Sequence, residues 1–232
     1  MRSTVPAGKL LLFAPLAFIA CAGPRMVPPA EVASGTVLET KNRKNASGMF
    51  VNEAFDLGSY KVDKVNRKAI SESGFGISNY SSNKTTTGYS YLLKGGSKEW
   101  KGSCAMSKDD KSVGLGSGMS IGRTKSNLTC ECKSGDEAGR LELKAGNDGQ
   151  YAGTFSPAGK SYDLTQVKDF DKKYWGAEPA GYRFDGTDGA RGAVETMKPG
   201  RIWFTEKLAE NEREPATCVL AGLMLYIEPT EH

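Results

Sequence analysis

Five cysteines, one histidine and a few loop aspartates are the residues of this 232-residue chain whose types could do chemistry. Cys130-Glu131-Cys132 falls in an alternating run, so both sulfurs share one strand face. In an extended chain their Cα atoms stand ~6.6 Å apart, near the limit of disulfide geometry, so they do not easily bond each other. The economical scheme joins Cys104 to either Cys130 or Cys132, and the other of the two to Cys218. A zinc site is the rival, but C-x-C without C-x-x-C spacing or a neighbouring His is a poor zinc signature, and no metal or cofactor is expected. Gly118-Met119-Ser120-Ile121-Gly122 matches the G-x-S-x-G of serine hydrolases. That elbow needs a strand-to-helix turn, whereas here it interrupts an alternating strand. It also needs a histidine, and His232 is the last residue of the chain. Asp169 with Asp171, and Asp185 with Asp188, could supply paired carboxylates or hold calcium. Neither spacing fits the D-x-D-x-D-G loop, and Asp beside Gly is ordinary turn chemistry. Tyr174, Trp175, Tyr182 and Trp203 could form a platform for a sugar or peptide, although a buried aromatic core is the commoner outcome. Tyr89 and Tyr91 share a strand face, as a core row or an exposed stripe. No catalytic residue is assigned.

Cys21 stands apart because of what precedes it. Residues 1–9 carry Arg2 and Lys9 and no acid, and residues 10–20 (LLLFAPLAFIA) are uninterruptedly apolar. A basic start, a short apolar run and small residues at its exit make a secretory signal peptide over 1–20. The apolar run is too short to span a bilayer of ~30 Å. Phe18-Ile19-Ala20-Cys21 resembles the lipobox of bacterial lipoproteins, with Phe18 where Leu is usual. The resemblance implies that Cys21 is lipidated and becomes the new N-terminus. Ordinary secretion with cleavage after Ala22 would instead discard Cys21. Either way Cys104, Cys130, Cys132 and Cys218 remain, an even set suited to an oxidising compartment. A Cys placed directly after the apolar run favours lipidation. By resemblance to the sorting rule of such lipoproteins, Ala22 rather than Asp after that Cys implies the outer membrane, if the host has two membranes.

Bulk composition bounds the rest. The formal charge is +4, and loss of Arg2 and Lys9 with the signal leaves 29 basic against 27 acidic residues. A nucleic-acid partner would call for clustered excess base, which is not seen. Residues 21–48 read as the lipidated Cys and a flexible tether, with Pro24, Pro28, Pro29 and the polar run around Lys41-Asn42-Arg43-Lys44. Such a coil would span ~30 Å root-mean-square.

From residue 49 to the end, one β-rich domain is expected. Apolar residues alternate in Trp100-Gly102-Cys104-Met106, Leu128-Cys130-Cys132, Leu141-Leu143-Ala145, Tyr151-Gly153-Phe155 and Tyr162-Leu164. Val113-Leu115-Ser117-Met119-Ile121 reads as one strand face with glycines opposite. Turn signals separate the runs at 94–96, 108–110, 134–136, 146–149 and 156–159, and 167–179 reads as a long loop. About twelve antiparallel strands in a barrel or sandwich follow. After the acidic stretch 206–214, Pro215 leads into the apolar run 216–227. That run reads as an enclosed helix, with a buried final strand at 223–227 as the competing reading.

A dozen strands followed by a wholly apolar C-terminal helix over 49–227 resembles the tubby C-terminal-like barrel, also seen in scramblase-like proteins. There the last helix threads the barrel, and the resemblance implies the same here. The functional expectation is a membrane-anchored lipoprotein with a non-catalytic binding or envelope-structural domain. It would hold the membrane through lipid on Cys21 and meet an envelope protein or glycan. A carboxylate-dependent envelope hydrolase and a lipid-handling barrel are the alternatives.

Overall fold

A computed structural model of the chain describes residues 23–43, 53–77, 79–116, 119–146, 150–176 and 178–226. A short helix, α1 (Ala30–Ala33), precedes β1 (Thr36–Lys41), β2 (Phe55–Leu57), β3 (Tyr60–Arg67) and β4 (Ser71–Ile77). Three long strands follow: β5 (Tyr80–Lys94), β6 (Trp100–Gly116) and β7 (Met119–Ser134). Then come β8 (Glu137–Ala145), β9 (Tyr151–Ser156), β10 (Tyr162–Val167), β11 (Gly181–Gly186), β12 (Gly189–Glu195), β13 (Arg201–Phe204) and the helix α2 (Glu210–Leu225). From β5 to β13 each strand pairs antiparallel with the next; β13 pairs β1, β1 pairs β2, β2 pairs β3, and β3 returns to β5. Twelve strands thus close into a barrel, and β4 alone lies outside the ring, hydrogen-bonded to the first half of β5. The mainly β, antiparallel architecture with one apolar C-terminal helix is the one its alternating runs imply.

Inward-facing residues follow the period of two: Tyr89 and Tyr91 on β5, Cys104 and Met106 on β6, Leu128, Cys130 and Cys132 on β7, Leu141 and Leu143 on β8. Down the centre runs α2, with every residue from Pro215 to Leu225 buried. It starts earlier than Pro215 implied. The backbone N–H of Ala209 donates to the Glu212 carboxylate at 3.1 Å, and Pro215 sits inside the helix, at a cost of one backbone bond. Tyr162 also donates to Glu212, at 2.8 and 2.9 Å, which fixes the first turn to β10. Burial and that carboxylate push the Tyr162 hydroxyl up to about 12. Further in, Tyr91 donates to the Cys218 carbonyl and Tyr89 to the Gly222 carbonyl, both at 2.8 Å. The pair is therefore a core row. Gly102 lets the Tyr91 ring lie across β6: a Cβ there would meet the ring at 2.1 Å. At Gly222 a Cβ would stand 2.5 Å from the Tyr91 hydroxyl.

The sulfurs resolve as Cys104–Cys130 and Cys132–Cys218. Cys104 and Cys130 are register partners across β6 and β7, and Cys132 is the sulfur one inward position further along β7. Cys132–Cys218 joins the central helix to the wall over a sequence separation of 86, which chain-entropy reasoning values at about 4.5 kcal/mol.

Three expectations are corrected. The stretch 21–48 is not a tether over its described part: Met26 and Val32 are fully buried, and β1 closes the barrel between β13 and β2. Composition hides this because β1 contributes hydrogen bonds more than apolar surface. Residues 108–110 form no turn but the middle of β6, where Asp109 faces Lys84 and Lys125 across the sheet. Finally, 113–121 is two strands, β6 ending at Gly116 and β7 beginning at Met119, and Val113 pairs with Ile121. The signal segment, Cys21, His232 and the 146–149 turn fall wholly or partly outside the described residues.

Non-reducing peptide mapping is expected to recover the 104–130 and 132–218 bridges with no alkylatable thiol among these four. Leu220→Ala, deep in the helix, is expected to lower stability by ~2–5 kcal/mol in chemical denaturation.

Candidate functional site

The two barrel ends differ in chemistry. At one end meet the last residues of β10 and β12 and the first residues of β11 and β13. There the chain enters. Met26 bridges to Phe170, and the buried Glu195 carboxylate takes Arg25 Nε and Nη2 at 3.0 and 2.8 Å, Arg201 Nε at 2.9 Å and the Met26 N–H at 2.7 Å. Burial opposes the charge on Glu195, but these donors prevail and hold its carboxyl below the usual range. Cys21 lies four positions before Arg25, outside the described residues. At this end α2 also terminates: Arg67 Nη2 donates to the Leu225 carbonyl at 2.8 Å, and the Arg43 guanidinium donates to Met224. Burial pushes Arg43 down to about 10, so it stays cationic against the negative end of the helix dipole.

The opposite end carries a cleft of about 580 Å³ beside the start of α2, lined by Tyr60, Lys98, Glu137, Arg213 and Glu214 among others. Its charges answer each other. Lys98 pairs with Glu137, Arg213 with Glu210 at 3.2 Å, and Glu214 accepts the Ser97 N–H at 2.6 Å. The sequence did not single out these residues, which converge through the turns at 58–59, 95–99 and 135–136 and the start of α2.

The four candidate aspartates do not converge. Asp171 accepts the Arg25 N–H at 2.8 Å, and the Asp169 carbonyl accepts the Val27 N–H at 2.9 Å, at the Gly181 end of β11. Asp185 sits at the other end of β11, roughly 13 Å along at 3.3 Å per residue, bound by Arg183 at 2.8 Å. Asp188 pairs with Arg191 in the following turn. All four perform backbone or ion-pair work. Nor do the aromatics make one platform: Tyr182 lies in the barrel core and Trp203 in an outer cluster with Met26 and Val32, while Trp175 is exposed with the Lys173 ammonium 4.0 Å from its ring centroid. Ser120 lies opposite Gly114 in the β6–β7 ladder, with Gly118 outside the described residues.

A third place was marked by the sequence only through the apolar face of Val113–Ile121. Beyond Tyr89, β5 leaves β3 and takes β4 as its neighbour, and the outer halves of β5, β6 and β7 with β4 form a four-stranded arm. It projects about 30 Å, nine residues at 3.3 Å each, from the same barrel end at which Arg25 enters. Ile77, Tyr80, Val113 and Ile121 are register partners in one row across all four strands, on the face continuous with the barrel exterior. With Phe75, Leu115 and Met119 they are the exposed apolar residues of the arm, 39% to 65% accessible. The next two rows on that face are Phe75-Ser82-Lys111-Arg123 and Ser73-Lys84-Asp109-Lys125. The other face holds glycines, small polar residues and the Lys108–Asp110 ion pair, with contacts such as Ser81–Ser112 at 2.7 Å and Thr124–Asp110 at 2.5 Å.

No protein-family model, curated protein or solved structure matches this chain.

The Glu195 cluster yields a pH prediction. Because its folded-state pKa is depressed, its contribution is complete above the ordinary carboxylate range and is lost as pH falls through the depressed value. Glu195→Gln is expected to lower stability at neutral pH by up to ~3 kcal/mol, the low end for a broken buried pair because Arg25 and Arg201 keep some water. The melting temperature of the variant should then change less on acidification to about pH 3 than that of the parent, followed by circular dichroism.

Proposed function

We propose that the chain is an exported lipoprotein held at a membrane through Cys21, with a barrel that serves as a rigid, non-catalytic binding or envelope-structural module. One observation carries the reading. The two disulfides use Cys104, Cys130, Cys132 and Cys218 and leave Cys21, directly after the apolar run, as the single cysteine for modification. Two bridges in a fold of this size also suit an oxidising compartment. The clamp on Arg25 revises how the domain would stand. Four chain steps, at most about 14 Å, separate Cys21 from Arg25, so the lipid would hold one barrel end close to the bilayer surface.

The rival readings find less support. A carboxylate hydrolase needs two uncommitted acids at catalytic separation, whereas Asp171 is taken by the Arg25 N–H, Asp185 by Arg183 and Asp188 by Arg191. A lipid-handling barrel needs an apolar lumen, and here α2 occupies the lumen with tyrosine bonds to its backbone.

Metabolic labelling with a clickable fatty acid is expected to mark the wild-type protein and not Cys21→Ser, and mass spectrometry should find an acylated Cys21 as the first residue. An unmodified N-terminus at Gly23 would overturn the proposal.

A further inference from the structure

We infer that the outer end of the four-stranded arm is a second membrane contact, whose apolar residues enter an anionic bilayer while the basic rows behind them meet lipid phosphates. The choice of a bilayer as occupant rests on the lipid-anchor reading, because that reading supplies the surface; the amphipathic geometry of the arm stands without it. Three observations point the same way. First, seven exposed apolar side chains gather at the outer end of β4, β5, β6 and β7, far more than scattered surface apolars account for. Second, Lys111 and Arg123, then Lys84 and Lys125, follow on the same face with Asp109 as the one acid of those two rows. An apolar edge backed by cations fits the order of a bilayer, acyl chains first and anionic headgroups above. Third, the arm leaves the barrel from the end where Arg25, four positions after Cys21, is fixed by Glu195. Anchor and arm therefore address one surface.

A second copy fits less well. Stacking two such faces would set Lys84, Lys111, Arg123 and Lys125 of one chain against the same cations of the other, a like-charge arrangement that a lipid surface reverses. The opposite arm face offers no comparable apolar surface, since it carries glycine, serine, threonine and the Lys108–Asp110 pair.

The test removes the acyl chain. Full-length protein with Cys21→Ser and Met119→Cys is labelled at its one unpaired thiol with a nitrobenzoxadiazole dye, and Thr154→Cys on the barrel wall serves as control. Vesicles of phosphatidylglycerol and phosphatidylethanolamine in equal parts are expected to raise and blue-shift emission at 119 severalfold, with little change at 154. Added salt should weaken the response, as screening of the basic rows requires. Ile77→Asp with Ile121→Asp, both exposed and so compatible with an unchanged melting temperature, should weaken vesicle binding at least tenfold. No response at 119, an equal response at 154, an equal response to pure phosphatidylcholine, or a response that grows with protein concentration without vesicles would each overturn the inference, the last in favour of self-association. Fatty-acid labelling of Cys21 is read separately, so the failure of one proposal is told from the failure of the other.

Discussion

A barrel of twelve strands must be filled, and that requirement governs the rest of this molecule. Wall side chains close the lumen of an eight-stranded barrel, but diameter grows with strand number, and twelve strands leave a gap that side chains alone do not span. Here the gap takes a helix. The helix must then be apolar on every side, which is why Ala216, Val219, Leu220, Leu223 and Met224 are all buried rather than gathered on one stripe. It must also clear the wall, which Gly102 and Gly222 permit beside the large Tyr91 ring. Without amphipathicity to orient it, its rotation and depth are fixed by polar links instead: Tyr89 and Tyr91 to backbone carbonyls, Cys132 to Cys218, Tyr162 to Glu212 at its start, Arg43 and Arg67 at its finish. An apolar rod in an apolar tube would otherwise slide and rotate at little cost.

Filling the lumen moves any function to the ends and the exterior. The cleft at the start of α2 is bounded by charges that already pair with one another. The other end is where the chain enters, where α2 is capped by arginines and where the arm departs. These features have a common origin in topology. Because β3 crosses to β5 only along Tyr89–Lys94, the remaining length of β5 has no barrel partner on that side, and β4 folds back to supply one. The arm is thus a direct result of three strands being nearly twice as long as the barrel wall needs.

The barrel was legible because its walls obey strict alternation: Leu128-Cys130-Cys132 and Leu141-Leu143 face inward as read. The apolar helix was legible as enclosed, and its cysteine as bonded across to β7. What sequence concealed shares one cause, that local composition does not report distant partners. The segment around Pro28 and Pro29 looks like a linker, yet Met26 and Val32 bury themselves against Ala193 and Trp203, which lie far along the chain. Lys108-Asp109-Asp110 looks like a turn because it is fully charged, and a solvated arm carries such charge on a strand without penalty. Val113 to Ile121 looks like a core strand because alternation fixes which residues share a face but not whether anything covers it.

That last ambiguity is the informative one. Alternation in β6 and β7 runs without a break from barrel to arm, so the same pattern that places Met106 and Leu128 inside places Val113 and Ile121 outside, on odd positions where the barrel wall carries Ser103, Ala105, Thr129 and Glu131. If the arm served only to extend the sheet, its outward positions would be expected to continue that polar series, since bare apolar sheet invites edge pairing and aggregation. Instead the inward positions become polar or glycine, among them Lys108, Asp110, Ser112 and Gly122, and the outward ones become isoleucine, valine and methionine at the distal end, with lysine and arginine between that end and the wall. The inward face loses its apolar residues where the sheet leaves the barrel, and the outward face gains them only at the distal end. A change confined to the projecting half, and graded from charged to apolar along its length, is what a surface shaped for an anionic, apolar-cored partner requires, and neither core packing nor solubility of the barrel explains it.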